Sequence, residues 1–163
     1  MPATRVPSKT VQTLTIRKAN PSDPLPWDLL LEADPSRSRI SDYLAAGELW
    51  LGFVEAELVG VYVLLFHSPT LAEIMNVSVA ENHQGCGWGT QLLQHAELRA
   101  QAKGAKQLRI ATADASLGQQ RLYQRMGFLE HHRVPNHFVE HYPEPILEDG
   151  IPCIDQVVLQ KDL

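Results

Sequence analysis

Three glycines stand at alternate positions just before a helix-forming stretch, in the segment HQGCGWGTQLLQHAE. Gly85, Gly87 and Gly89 would each weaken a helix by roughly 1 kcal/mol relative to alanine. A strand that ends in a glycine-rich turn and leads into a helix can bind an anion. The reason is that the first helical N–H groups lack internal acceptors and the helix dipole adds positive potential. Because glycine also lets a bulky phosphate approach the backbone, the segment predicts a phosphate-binding turn.

The spacing within this turn restricts the kind of phosphate ligand. The loop of nucleoside triphosphatases needs a lysine after its last glycine, and the dinucleotide fingerprint needs Gly-x-Gly-x-x-Gly; neither is present. The pattern that does occur is Gln-x-x-Gly-x-Gly, beginning at Gln84, and a second motif, RLYQRMGF, follows at Arg121 to Phe128. Together the two motifs resemble the GNAT superfamily of acyl-CoA-dependent N-acetyltransferases, and the resemblance extends roughly from Glu48 to Val134. It is strongest to small bacterial members.

The resemblance implies which residues bind the coenzyme. In this family the turn holds the coenzyme A diphosphate on backbone amides, and the preceding strand offers backbone groups to the pantetheine arm. The backbone N–H of Val77 is the expected oxyanion donor. Many members carry Asn at the position of Ser116, so whether Ser116 or Asp114 contacts the coenzyme stays open. The implied coenzyme contacts are Val77, Ser78, Val79, Gln84, Gly85, Cys86, Gly87, Trp88, Gly89, Thr90 and Asp114.

The implied chemistry is the attack of an amine on a thioester, which needs a neutral amine and a proton for the departing thiolate. An alkyl ammonium titrates near ~10.4, so a base or ordered water must remove a proton at neutral pH. The resemblance implies Tyr123 as the acid, and a tyrosine pKa of ~10 is close enough to a thiol pKa of ~8.5 for a shared proton.

Glu73 is the candidate base, near the start of the strand that leads into the turn. Strand alternation places Glu73, Met75, Val77 and Val79 on one face, and a carboxylate on a mostly apolar face would have a raised pKa. A solvated strand-end glutamate is the alternative interpretation of Glu73. Ordered water and three histidines remain competing bases: His83, His131 and His132.

The rest of the sequence predicts the elements that position these residues. VQTLTIRKA predicts a first strand, and two short helices follow, the second beginning after Asp34-Pro35 and ending at Gly47. Next come a hairpin broken at residues 55–57, the strand AEIMNVSVA, the glycine-rich turn and a helix ending near Gly104. The remaining predicted elements are the strand KQLRIATA, a helix over 117–126, the strand FLEHHRV, a long proline-rich loop and the last strand, CIDQVVLQK.

This order predicts a mixed α/β fold. We expect a GNAT-like mixed, mostly antiparallel central sheet, flanked by helices and with splayed central strands. We expect a flexible tail over residues 1–10 and a single N-acetyltransferase domain over 11–163.

The bulk composition limits the function classes. The chain has 163 residues, of which 44% are hydrophobic and 20% charged, with a formal charge of −5. An acidic protein is a poor candidate for binding nucleic acid, and no apolar run is long enough to span a membrane. Two cysteines without metal or disulfide spacing favour a reducing, cytoplasmic setting and no metal. The expected partners are acetyl-CoA and an amine, and the resemblance also allows a homodimer.

The acceptor amine is predicted from the segment NHFVEHYPEPILEDG, which precedes the last strand. Its carboxylates beside aromatic rings suit a small cationic amine such as a polyamine or an aminoglycoside. A protein lysine or N-terminus, a non-catalytic acyl-CoA sensor and a merely solvated loop are the alternatives. Trp27, Asp42 and Tyr43 are candidates for the opposite wall of the acceptor cleft. The residues on which the substrate prediction rests are His137, Phe138, Glu140, His141, Tyr142, Glu144, Glu148 and Asp149.

Overall fold

The computed structural model describes residues 11–163, so the predicted tail over residues 1–10 lies outside the described part. Between residues 11 and 80 the structure contains four strands and two helices. They are β1 (Thr15–Lys18), α1 (Trp27–Ala33), α2 (Arg37–Ala46), β2 (Glu48–Val54), β3 (Glu57–Ser68) and β4 (Leu71–Val79). The second helix is capped by the side chain of Ser36 and ends at Gly47, as the sequence predicts.

The second half begins with a 3-10 turn and the glycine turn and then alternates helices with strands. Its elements are the 3-10 turn (Glu81–His83), α3 (Trp88–Ala102), β5 (Gln107–Ala113), α4 (Leu117–Arg125), β6 (Leu129–Val134), α5 (His137–His141), β7 (Leu147–Glu148), β8 (Ile151–Pro152) and β9 (Gln156–Asp162). The prediction of a long loop before the last strand is therefore wrong in part, because this segment contains α5 and the β7–β8 hairpin. The hairpin turns at Asp149 and Gly150, which both have positive φ, and Asp-Gly is a preferred sequence for such a turn.

Seven strands form one sheet in the order β1-β2-β3-β4-β5-β9-β6, and the predicted mixed, mostly antiparallel architecture is confirmed. The pairing of β4 with β5 is parallel; every other neighbouring pair is antiparallel. Helices cover both faces. On one face α3 and α4 pack against the sheet through a core that includes Leu92, Leu93 and Phe128, and on the other α1 and α2 do so through Leu30 and Ile40.

The two central strands separate, as the resemblance implies. β4 pairs with β5 only from Leu71 to Ile74, although β4 itself continues to Val79. β5 instead pairs along its whole length with β9. From Met75 onward, the edge of β4 that faces β5 therefore pairs with no other strand of residues 11–163.

A β-bulge in β4 corrects the predicted side-chain alternation. Val63 pairs with Asn76 and Leu64 with Ile74, so Met75 has no partner on β3. Because a bulge adds one residue to a strand, the side chains change face there. Met75 packs toward α1 and α2, whereas Val77 and Val79 pack toward α3 and α4. Glu73 therefore does not share a face with Val77 and Val79; it shares the α1/α2 face with Met75.

Candidate active site

The glycine turn joins the end of β4 to the first residue of α3. Gly87 directly precedes α3 with φ +84°, and Gly85 has φ +77°. A Cβ built at either position would meet no atom within 4 Å. A side chain would therefore have room at both positions. Glycine is required because its backbone adopts this left-handed conformation, which other residues rarely do.

Six consecutive backbone N–H groups in this turn are available to a ligand. The first helical hydrogen bond of α3 is from Gln91 N to Gly87 O, at 3.2 Å. The N–H groups of residues 85–90 have no acceptor anywhere in residues 11–163. Unpaired donors at a helix N-terminus form an anion site, so the turn fits a diphosphate.

Three side chains of the turn have local roles. The Gln84 side chain donates to the Val79 carbonyl at 3.0 Å and so ties the turn to the end of β4. Trp88 is 7% exposed and belongs to the core, which leaves only its backbone N–H for a ligand. Cys86 is exposed, and its Sγ lies 3.8 Å from the Gln84 carbonyl.

A cleft continues from the turn between α3 and α4. Its volume is about 410 Å³, and Thr90, Gln94 and Leu122 are among its lining residues. Arg125 and Lys161 also line it, and they bring positive charge to the same side of the sheet. Lys161 is held by Glu97 at 2.9 Å and by the Met126 carbonyl at 2.8 Å. The turn and this cleft thus lie on the side of the sheet that α3 and α4 cover, and the turn follows directly from the unpaired end of β4.

Tyr123 projects from α4 into the core on this side. Its side chain is 6% exposed and meets the Phe128 ring edge-on, with centroids 6.2 Å apart. Burial raises the pKa of Tyr123 to about 12. The raised pKa keeps the hydroxyl protonated at neutral pH, and no hydrogen bond within the described residues engages it.

Glu73 lies on the opposite face of β4, before the bulge. Its Oε1 is 2.8 Å from His67 Nε2, and the Glu73 side chain is 17% exposed against 38% for His67. The pair connects a shielded carboxylate to a partly exposed imidazole, which is an arrangement that can pass a proton to solvent.

The three other candidate histidines are on the surface. His83 Nε2 lies 3.3 Å from Glu57 Oε1 beside the hairpin turn. His131 and His132 are exposed on β6 and contact each other through their Nδ1 atoms at 2.7 Å.

Asp114 has a structural role at the end of β5. Burial opposes its charged form, but backbone N–H donors, those of Ile154 and Ala115 among them, outweigh this and lower the pKa of Asp114. Both of these donors lie 3.0 Å from Oδ1. Ser116 is buried and directly precedes α4. The coenzyme contact predicted for this segment stays a prediction.

Sequence reasoning missed a polar junction on the α1/α2 side of the sheet. Asp34 accepts hydrogen bonds from the hydroxyls of Tyr43 at 3.2 Å and Tyr142 at 2.8 Å. Asn76, the residue that follows the bulge, donates to the Tyr43 hydroxyl and to the Leu30 carbonyl, both at 3.0 Å. The segment before β9 is thereby linked through α1 and α2 to β4. The available signal was Asn76, an amide side chain within the mostly apolar run IMNVSV.

Of the predicted acceptor-side residues, the structure brings Tyr43, His137 and Tyr142 to this junction. Asp42 is exposed, and Trp27 lies under the guanidinium of Arg37 at 4.6 Å.

Within residues 11–163, no helix is long and apolar enough to cross a membrane, and no group of three or more His, Cys, Asp or Glu side chains is arranged to hold a metal ion.

Comparison with known proteins identifies the family. The model of the acetyltransferase (GNAT) family matches residues 16–128. An N-acetyltransferase of Bacillus subtilis named YvbK is 40% identical over 153 residues, which are 94% of this chain and 99% of the relative. The chain belongs to the GNAT family and is an acetyl-CoA-dependent N-acetyltransferase.

Two solved structures of bacterial acetyltransferases support the same fold. A GNAT acetyltransferase from Elizabethkingia anophelis with acetyl-CoA bound is 43% identical, with a TM-score of 0.91 over 92% of this chain and 98% of that chain. A Bacillus subtilis acetyltransferase in complex with CoA is 40% identical, with a TM-score of 0.87 over 93% of this chain and 99% of that chain.

Proposed function

We propose that this enzyme transfers the acetyl group of acetyl-CoA directly to the primary amine of a small molecule. The observation that carries the proposal is the row of free N–H groups at residues 85–90, which adjoins the unpaired end of β4 and the α3–α4 cleft. A diphosphate on the turn and a pantetheine arm along β4 would use these groups. That the relatives were solved with acetyl-CoA and CoA supports this ligand.

The catalytic roles divide between the two faces of β4. On the α3/α4 face, Tyr123 would donate a proton to the departing thiolate, and the backbone N–H of Val77 would stabilise the oxyanion. On the α1/α2 face, Glu73 would take a proton from the ammonium of the acceptor and pass it to His67. The acceptor and the coenzyme would thus meet at the bulge, where the alternation of side chains between the two faces of β4 is shifted by one residue.

The acceptor is a positively charged amine in this proposal. The segment from α5 to the β7–β8 hairpin carries four carboxylates, and none of them forms an ion pair within the described residues: Glu140, Glu144, Glu148 and Asp149. Unpaired carboxylates make a negative potential that attracts a cation.

Calorimetry with acetyl-CoA is the direct test, with desulfo-CoA and ADP as comparison ligands. We expect micromolar acetyl-CoA binding, with ADP retaining part of the affinity because the turn holds the diphosphate. Absence of binding at millimolar acetyl-CoA would contradict the coenzyme site.

A panel of polyamines, aminoglycosides, amino acids and lysine-containing peptides then tests the acceptor, with release of free thiol as the readout. Turnover with small amines and not with peptides supports the proposal, whereas the reverse indicates a protein acetyltransferase. Coenzyme binding without turnover on any amine indicates a sensor.

A further inference from the structure

An arginine without an anionic partner lies in the junction that joins α2 to the segment before β9. The guanidinium of Arg39 sits over the Tyr142 ring, with Cζ 5.7 Å from the ring centroid. Its Nε is shielded from solvent and has no hydrogen-bond partner, and Arg39 forms no ion pair within residues 11–163. Arg39 is half-buried, and its shielded Nε is a donor that solvent does not reach. Leaving such a donor unpaired is unfavourable, so an acceptor placed here, and above all a negatively charged one, would be bound favourably.

The nearby carboxylate does not fill that place. Asp34 already accepts from the hydroxyls of Tyr43 and Tyr142 and from the Ser36 N–H at 3.1 Å, and it lies outside ion-pair distance of Arg39. His137 also lies near Arg39 and brings no negative charge to it. Burial, with Arg39 and His141 as further causes, lowers the pKa of His137 to about 4, so the imidazole stays neutral beside the guanidinium.

The junction also has a defined position relative to the reacting groups. It meets β4 at Asn76, three residues after Glu73 on the same face of the sheet. At the rise of a strand, this separation is roughly 10 Å. An acceptor that reaches from Glu73 to the junction must therefore carry its amine and its second polar group at opposite ends, as lysine and ornithine do.

We propose that the acceptor of this enzyme carries a carboxylate, which Arg39 binds while the acceptor amine lies toward Glu73. This inference rests on the proposed acetyl transfer to a small amine and narrows it to amines that also bear a negative charge. A guanidinium binds a carboxylate through charge-assisted hydrogen bonds, which are stronger than neutral ones and favour this planar partner.

Matched pairs of acceptors that differ only in the carboxylate test the inference. We would measure kcat/KM for lysine against cadaverine and for ornithine against putrescine. We expect the wild type to prefer the carboxylated member by about 10–100-fold, the range of one charge-assisted interaction. In Arg39→Gln this preference should fall below about 3-fold, and Arg39→Lys should restore part of it.

Arg37→Gln is the control, because Arg37 lies two residues earlier on the same helix but is exposed over Trp27. It should keep the wild-type preference. If Arg39 serves only to anchor Tyr142, Arg39→Gln will change the KM of both members of a pair equally and leave their ratio unchanged. That outcome, or a wild type that acetylates the decarboxylated amines equally well, overturns the inference and leaves acetyl transfer to cationic amines intact.

A binding measurement separates this inference from the proposed function. Calorimetry with lysine and with cadaverine, on enzyme saturated with CoA, should show tighter lysine binding to the wild type and no difference for Arg39→Gln. Equal affinities in the wild type overturn the inference even if no amine is acetylated. If lysine binds in a way that depends on Arg39 but is not acetylated, the carboxylate site is supported and the proposed function is contradicted.

Discussion

Two tyrosines are buried on the α3/α4 side of the sheet, yet their hydroxyls have different surroundings. The Tyr62 hydroxyl meets His95 Nδ1 at 2.7 Å, so it is satisfied inside the protein. The Tyr123 hydroxyl has no partner in residues 11–163, although the side chain is as deeply shielded as many core residues. The Tyr123 hydroxyl is therefore free to contact a ligand atom, which is the role that the proposed function gives it.

Tyr123→Phe should lower kcat by about 10²–10⁴-fold, the usual contribution of a positioned acid. Stability and acetyl-CoA affinity should change little, because the ring still packs on Phe128 and no protein hydrogen bond is lost. Steady-state kinetics, calorimetry and urea unfolding measure the three quantities. Tyr62→Phe is the matched control. This variant loses the hydrogen bond between the Tyr62 hydroxyl and His95, so its stability should fall while kcat stays unchanged.

At the scale of the element, the start of α3 shows how a helix is used as a binding group. Its first N–H groups remain free because the chain enters the helix through two left-handed glycines. The bulge at Met75 has a comparable effect on β4, since it lets one strand present Glu73 to one face and Val77 to the other. The glycine turn thus presents backbone N–H groups, and the bulge presents side chains on two faces, without any additional basic residue.

Gly87→Ala should weaken acetyl-CoA binding by roughly 10-fold or more, because a Cβ at φ +84° costs about 1–2 kcal/mol in this conformation and distorts the turn. Gly104→Ala is the control, since Gly104 has φ +95° at the other end of the same helix. It should lose similar stability and keep the affinity for acetyl-CoA. Equal affinity losses in the two variants would show that the effect is general strain and not the diphosphate contact.

At the scale of the whole molecule, the polar junction joins parts of the chain that are far apart in sequence. Tyr142 and Asp34 are separated by 108 positions, and their hydrogen bond holds the segment after α5 against the connection between α1 and α2. His137, which is 6% exposed, packs 6.3 Å from the Tyr142 ring. The charge of this buried imidazole therefore affects how firmly the two parts remain joined.

The stability of the protein should fall as pH drops from 6.5 toward 4. Folding lowers the pKa of His137 from 6.5 to about 4, so the unfolded state binds more protons in this window. Between pH 6.5 and pH 5 the wild type should lose about 1.5 kcal/mol of unfolding free energy from this residue alone. Urea unfolding at both pH values measures it, with His137→Gln as the comparison. Equal losses in the two proteins would contradict the assignment.

The sequence by itself determined the features that depend on short spacings. The glycine turn, the Tyr123 motif, Gly47 as a helix end and the break at residues 55–57 are local, because each follows from the backbone preferences of a few adjacent residues. These motifs were sufficient to predict the family, the fold class and the direction of the chemistry.

Only the tertiary structure decided how distant segments meet. The bulge arises from pairing with β3, so alternation read along β4 alone placed Val77 and Val79 on the wrong face. The Asp34 junction and the unpaired Arg39 likewise depend on residues more than a hundred positions apart, and no local preference encodes such a contact. Local propensity fixes conformation over a few residues, whereas burial and hydrogen-bond satisfaction are settled only when the whole chain has packed.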